Sequence, residues 1–70
     1  MSRLPGVTPR RLIAALSRAG FIEASQRGSH RHFYHPQTGR KTTVPVHGAD
    51  LKRGTLAAIL KQTGLTVADL

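Results

Sequence analysis

Arg27-Gly28-Ser29-His30-Arg31-His32-Phe33-Tyr34-His35 is the stretch on which the reading of this chain turns. It gathers three of the four histidines of the sequence into nine residues. Gly28-Ser29 marks a turn or bulge, because glycine and serine interrupt regular structure. From His30 to His35 the residue types suit a strand. Side chains alternate along a strand, so His30, His32 and Tyr34 fall on one face and Arg31, Phe33 and His35 on the other. The strand runs out at Pro36-Gln37-Thr38-Gly39, which reads as a hairpin loop with Gly39 where positive φ is commonly needed.

Working outward, Phe21 to Arg27 is a weaker strand. Phe21 and Ile22 favour extended structure, whereas Ala24-Ser25-Gln26 only permits it. On the other side, Arg40 to His47 is a third strand, with Thr42, Val44 and Val46 alternating with Thr43, Pro45 and His47. Proline has no N–H to donate, so Pro45 places this strand at a sheet edge or a bulge. A helix precedes the strands. Thr8 is a capping residue and Pro9 suits the first helical position. Leu12, Ile13, Leu16 and Ala19 then form an apolar stripe, and Gly20 closes a helix spanning Pro9 to Ala19. Leu56, Ile59, Leu60 and Thr63 form the stripe of a second helix over Arg53 to Thr63, closed by Gly64, with Asp50 or Thr55 as its cap. Thr66 to Asp69 has the spacing of a capping box and starts a last short turn. Met1 to Val7 reads as an extended arm.

The order is α-β-β-β-α. The fold class is therefore α+β, a three-stranded antiparallel sheet with two helices packed on one face. This is the order of double-stranded-RNA-binding domains. The 70 residues are expected to form one domain over 1–70. A chain of this size buries only ~60% of its unfolded surface, so its core is marginal. With no cysteine, neither a disulfide nor a thiolate metal site supplements that core.

The formal net charge is +8, against three acidic residues, Glu23, Asp50 and Asp69. Such an excess in a short chain points to a polyanionic partner, most often nucleic acid. No apolar run approaches the ~20 residues of a membrane-spanning helix, and neither helical stretch pairs a strongly apolar face with a densely basic one. Nor has the start of the chain the apolar run of a signal peptide. The expectation is a cytoplasmic protein that does not bind membrane.

Histidine at a phosphate suggests a specific chemistry. RNA is cut without a metal when a base takes the proton of a 2′-hydroxyl and an acid protonates the leaving oxygen; histidine serves in either role. His30 follows Gly28 and Ser29, whose backbone can approach a phosphate closely. Arg27, Arg31 and Lys41 lie on neighbouring strand positions and supply positive charge. Lys52 and Arg53, at the start of the second helix, are candidate phosphate contacts. His47 is a second candidate for proton transfer or phosphate contact, or else a turn residue. Tyr34 or Phe33 could stack on a base, Phe33 being better suited to the core. His30, with the sheet around it, could equally be an ordinary exposed histidine in a basic binding surface. A zinc site from His30, His32 and His47 is disfavoured by the absence of cysteine and the scattered carboxylates, so no metal or cofactor is expected.

The same residues carry a family pattern. Leu12-Ile13 through Ala19-Gly20-Phe21, Gln26-Arg27-Gly28-Ser29-His30, His35-Pro36, Thr43-Val44-Pro45-Val46-His47, and Leu51-Lys52-Arg53-Gly54-Thr55-Leu56 running into Ile59-Leu60-Lys61-Gln62-Thr63-Gly64-Leu65 occur in one order across nearly the whole chain. In this the sequence resembles the HicA toxin family, the mRNA interferases of type II toxin–antitoxin systems. The resemblance implies a double-stranded-RNA-binding-like fold and metal-independent endoribonuclease activity on mRNA. It implies His30 as the catalytic residue and a HicB-type antitoxin as the protein partner. Two positions depart from the pattern. His32 stands where the family often has an aliphatic residue, and Thr8-Pro9 replaces a looser pattern at the first helix. Two other readings share the charge and fold: a non-catalytic RNA-binding module, which would leave RNA intact, and a protein-interaction module whose basic surface meets an acidic partner.

Overall fold

The computed structural model describes residues 6–46 and 48–70. Elements follow in the order α1 (Pro9–Arg18), β1 (Ile22–Arg27), β2 (His30–Tyr34), β3 (Lys41–Pro45) and α2 (Arg53–Thr63), then a 3-10 turn at Val67–Asp69. The strands form one antiparallel sheet in the order β1-β2-β3. The α-β-β-β-α architecture expected from the sequence is thus the one observed. The extended arm read at Met1 to Val7 lies largely outside the described residues, but Val7 is buried and its carbonyl accepts from the Leu51 N–H at 2.8 Å. That bond ties the entrance of α1 to the entrance of α2.

The caps of α1 follow from its sequence. Thr8 is extended and its hydroxyl accepts from the Arg11 N–H at 3.2 Å, with Pro9 next in the first turn. At the other end the Phe21 N–H reaches back to the Leu16 carbonyl (2.9 Å) and the Gly20 N–H to that of Ser17 (3.1 Å). With Gly20 at φ +98°, this is a Schellman ending, and its characteristic apolar contact joins Leu16 and Phe21, both core residues. α2 departs from expectation at its start. Neither Asp50 nor Thr55 caps it. Lys52 occupies the N-cap position and offers no side-chain bond to the free N–H groups. Its far end is closed by Gly64 at φ +77°, as the sequence indicates. At the terminal turn the Asp69 carboxylate accepts from the Thr66 N–H (2.8 Å) and hydroxyl (3.1 Å).

The core is one cluster. Leu12 and Leu16 of α1 meet Phe33 of β2, Val44 of β3 and Leu56, Ile59 and Leu60 of α2, with Val7 and Phe21 completing it. Both helices therefore cover the sheet face that carries Phe33, Thr42 and Val44. His30, His32, Tyr34, Lys41 and Thr43 belong to the opposite face by strand alternation. All six residues of β1 are exposed, and Phe21, the strongest apolar residue assigned to that strand, lies just before it. The register slips between Glu23 and Ser25, a bulge that leaves Ala24 unmatched.

β3 ends at Pro45, short of the His47 expected from alternation, and His47 lies outside the described residues. The Val46 N–H donates to the Ser29 carbonyl at 2.6 Å, so residues 42, 44 and 46 direct their N–H groups toward β2. Residue 45 accordingly faces the free edge, where the missing N–H of Pro45 costs no ladder bond.

Candidate active site

His30 is the first residue of β2 and pairs with Arg27 across a two-residue loop, Gly28-Ser29. Gly28 has φ +59°, while no described non-glycine residue has positive φ. Positive then negative φ is the sign pattern of a type II′ turn, whose first central position calls for glycine. On its other side His30 is paired with Pro45. An exposed imidazole thus stands at the rim of the sheet, beside a glycine turn, on the face that neither helix covers.

The basic residues singled out from the sequence divide into two groups. Arg27 lies directly across from His30 and is exposed. Lys41 shares the His30 face but is paired with Tyr34, four residues along β2, a separation of ~13 Å. Lys52 and Arg53 are exposed at the start of α2. Gln62, near the end of α2, meets Arg40 and Thr42 at the start of β3, so α2 runs antiparallel to β3. Its first turn therefore lies toward the Pro45 end, the end that carries His30. None of these four cations enters an ion pair among the described residues.

Arg31 is not brought together with them. It faces the helix side, where its guanidinium forks onto the Glu23 carboxylate and lies 5.8 Å from the centre of the Phe33 ring. Hydrogen bonds from Arg31 hold the Glu23 carboxyl below its ordinary value, with partial desolvation opposing them and the Arg31 charge adding to them. The local pattern gave no sign of this pair, because the bulge at Ala24 sets which β1 residue Arg31 can reach.

The other histidines have separate tasks. His32 Nδ1 is 2.9 Å from the Thr43 hydroxyl in a cross-strand pair, which gives a polar residue at this position a partner on the sheet. His35 is more than a loop-edge residue. Its Nε2 is 3.0 Å from the Ala19 carbonyl, its Nδ1 faces the N–H groups of Gln37 (3.2 Å) and Thr38 (3.4 Å), and its ring stands edge-on to Phe21 at 5.1 Å. Those partners fix the tautomer: Nε2–H donates and Nδ1 accepts. Phe33 is buried in the core, and Tyr34 is the exposed aromatic ring of β2. Among the described residues no three histidine, aspartate or glutamate side chains gather as metal ligands. No described helix is long and apolar enough to cross a membrane.

Between the helix-covered face of the sheet and α2 lies an open cleft of about 830 Å³, lined by Ala24, Phe33 and Thr42 of the sheet and by Thr55, Ile59 and Gln62 of the helix. No local pattern marks it, since it is assembled by the packing of α2 on the sheet.

The family model described as HicA toxin of bacterial toxin-antitoxin matches residues 9–65. The match takes in both helices and all three strands, and the chain belongs to the HicA toxin family. Among curated proteins none matches the chain.

Proposed function

We propose that this chain is the toxin of a HicA/HicB-type pair and acts as an endoribonuclease on mRNA, with His30 as the proton-transfer group. The observation that carries this reading is the position of His30: exposed, on the uncovered sheet face, and joined to a glycine turn. Gly28 has no side chain to obstruct a phosphate, and a Cβ there would meet nothing within 4 Å, so the space beside the turn is open. RNA lies across this face. Arg27, Lys52 and Arg53 hold phosphates near His30, and Lys41 holds the backbone further along; contacts of this kind position RNA without reading its sequence. The N–H groups of the Gly28-Ser29 turn favour negative charge at the same end.

In the proposed reaction the 2′-hydroxyl attacks the adjacent phosphate, its proton passes to a base, and the 5′-oxygen leaves with a proton from an acid. His30 fills one of these roles. His47, which follows β3 in the chain, is the second candidate for proton transfer or phosphate contact. The reaction needs no metal and leaves a 2′,3′-cyclic phosphate. Arg31 has a structural task in this reading, given its place on the helix side. A HicB-type antitoxin neutralises the toxin by covering the His30 surface.

The test is incubation of purified protein with defined RNA in excess chelator, with the cut ends mapped. Cleavage to a 2′,3′-cyclic phosphate is expected, and His30→Ala should abolish it while preserving the circular dichroism spectrum and RNA binding. RNA that is bound but left intact by the native chain would overturn the catalytic reading in favour of a binding module. Full cleavage by His30→Ala would remove His30 from the mechanism.

A further inference from the structure

The bulge in β1 changes what the uncovered face of the sheet presents. Side chains alternate along a strand, so a regular β1 with Arg27 and Ser25 on that face would also place Glu23 there and turn Ile22 toward the helices. The extra residue at Ala24 reverses this parity. Glu23 is paired with Phe33 on the helix side, where Arg31 holds its carboxylate, and Ile22 is paired with Tyr34 on the uncovered face. One irregularity thus takes a carboxylate off the His30 surface and adds an apolar side chain to it.

The uncovered face is built of cross-strand rows. Arg27 and His30 stand in the row at the rim. His32 follows, bonded to Thr43 across the strands. Tyr34 occupies the far row, between Ile22 on β1 and Lys41 on β3. Ile22 and Tyr34 are 49% and 37% exposed, and neither belongs to the core cluster. None of the residues paired in these rows is acidic, and Lys41 enters no ion pair among the described residues. An aromatic ring flanked by an aliphatic side chain and a lysine, on a face without carboxylates, matches an unstacked nucleotide. The ring stacks on the base, Ile22 widens the apolar platform and Lys41 takes the phosphate. Duplex RNA keeps its bases inside the stack and is held by backbone and shape, so it would leave the ring and Ile22 unused. An acidic protein segment would use the cations but leave the imidazole at the rim without a task.

We propose that Tyr34 is a base-stacking site for single-stranded RNA, set apart from the cut along β2. The inference rests on the RNA-cleaving reading and names the substrate class of that site. The rows of His30 and Tyr34 lie ~13 Å apart, several times the ~3.4 Å base step of a stacked strand. The base on Tyr34 therefore belongs to a nucleotide beyond the scissile bond, always on the same side of it. Stacking tolerates any base, so this row demands an unpaired strand and fixes its register without reading its sequence.

The test separates binding from cleavage. A short 2′-O-methylated strand lacks the nucleophile and stays whole on the native chain. It is titrated by fluorescence anisotropy, alone and annealed to its complement, against the native chain, Tyr34→Leu and Tyr34→Phe. Tyr34→Leu should lose about 10-fold in affinity for the single strand, while Tyr34→Phe, which keeps the ring, stays close to native. Affinity for the duplex, carried by the cations, should be unchanged in both variants, which also shows that Tyr34→Leu is folded. In an RNA that the native chain cuts, a single abasic residue should suppress cutting at one fixed offset, and Tyr34→Leu should erase that offset. Equal loss on single strand and duplex, or a loss in Tyr34→Phe as large as in Tyr34→Leu, would overturn stacking. If RNA is cut and Tyr34→Leu binds the single strand as the native chain does, the stacking site fails and the RNase reading stands. If the native chain cuts no RNA but the single-strand loss is found, the RNase reading fails and the stacking site stands. A Tyr34→Leu that binds RNA normally but escapes the antitoxin would give this row to the protein partner and end the proposal.

Discussion

His35 donates from Nε2 to the carbonyl of Ala19, 3.0 Å away, and so ties the β2–β3 hairpin to the end of α1. Gly20 lies directly beneath this bond: a Cβ on it would stand 2.8 Å from the same nitrogen. Two demands thus converge on Gly20, its φ of +98° and the closeness of the imidazole.

His35→Ala is therefore expected to destabilise the domain by ~1–3 kcal/mol, through the lost hydrogen bonds and the lost edge contact with Phe21. Gly20→Ala should cost ~1–2 kcal/mol for the left-handed backbone alone, with the collision added. The double variant should lose less than the sum of the singles, because the backbone cost persists but the collision vanishes with the imidazole. Urea denaturation of the four proteins gives the coupling directly. Strict additivity would show that Gly20 and His35 do not interact.

Arg27 and Arg31 lie on neighbouring strands but on opposite sides of the sheet, and they should separate cleanly in experiment. Arg27→Gln is expected to weaken RNA binding and reduce the slope of log affinity against log salt by about one. Arg31→Gln should leave the salt slope unchanged and lower stability, since it strands Glu23 and removes the cation beside Phe33. Equal loss of salt dependence in both variants would place Arg31 on the RNA.

The Glu23–Arg31 pair also predicts a pH dependence. The folded-state pKa of Glu23 is depressed, chiefly by hydrogen bonds from Arg31. Its contribution to stability is thus fully present above the unfolded value of ~4.3 and is lost as pH falls through the lower folded value. The native chain should exceed Glu23→Gln in stability at neutral pH, and the gap should close in acid. Chemical denaturation of both at neutral pH and near pH 3 reads this out. A gap that widens in acid would contradict the assignment.

What the sequence revealed and what it concealed follow from the range of the interactions involved. Thr8, Pro9 and Gly20 act within one or two turns, and each performs the task that its residue type indicates. Alternation along β2 correctly divided Phe33 from His30 and Tyr34, because one buried face suffices to fix the parity of a strand. The end of β3 was overrun, since Val46 keeps the alternation although the ladder pairs end at Pro45. The roles of Arg31 and His35 were concealed for a different reason. Each is set by a partner on another element, Glu23 across a bulge and Ala19 at a helix end, and no local pattern encodes such a meeting.

The start of α2 sets stability against function. Lys52 holds the N-cap position with φ −63° and ψ 146°, the extended geometry of a capping residue, but lysine has no acceptor to offer. The first turn of α2 contains no acidic residue either, so neither a capping side chain nor a first-turn carboxylate offsets the positive end of the helix dipole. Lys52→Asn supplies a cap without adding a negative charge. It should stabilise the domain by ~0.5–2 kcal/mol, since the backbone already has the required conformation. At ~4–8 °C per kcal/mol for a domain of this size, the shift in melting temperature is readily measured. The same substitution removes a proposed phosphate contact and should weaken RNA binding with a shallower salt dependence. A more stable and less active Lys52→Asn would show that the missing cap is the cost of a binding site. A gain in stability with no loss of RNA affinity would remove Lys52 from the RNA surface.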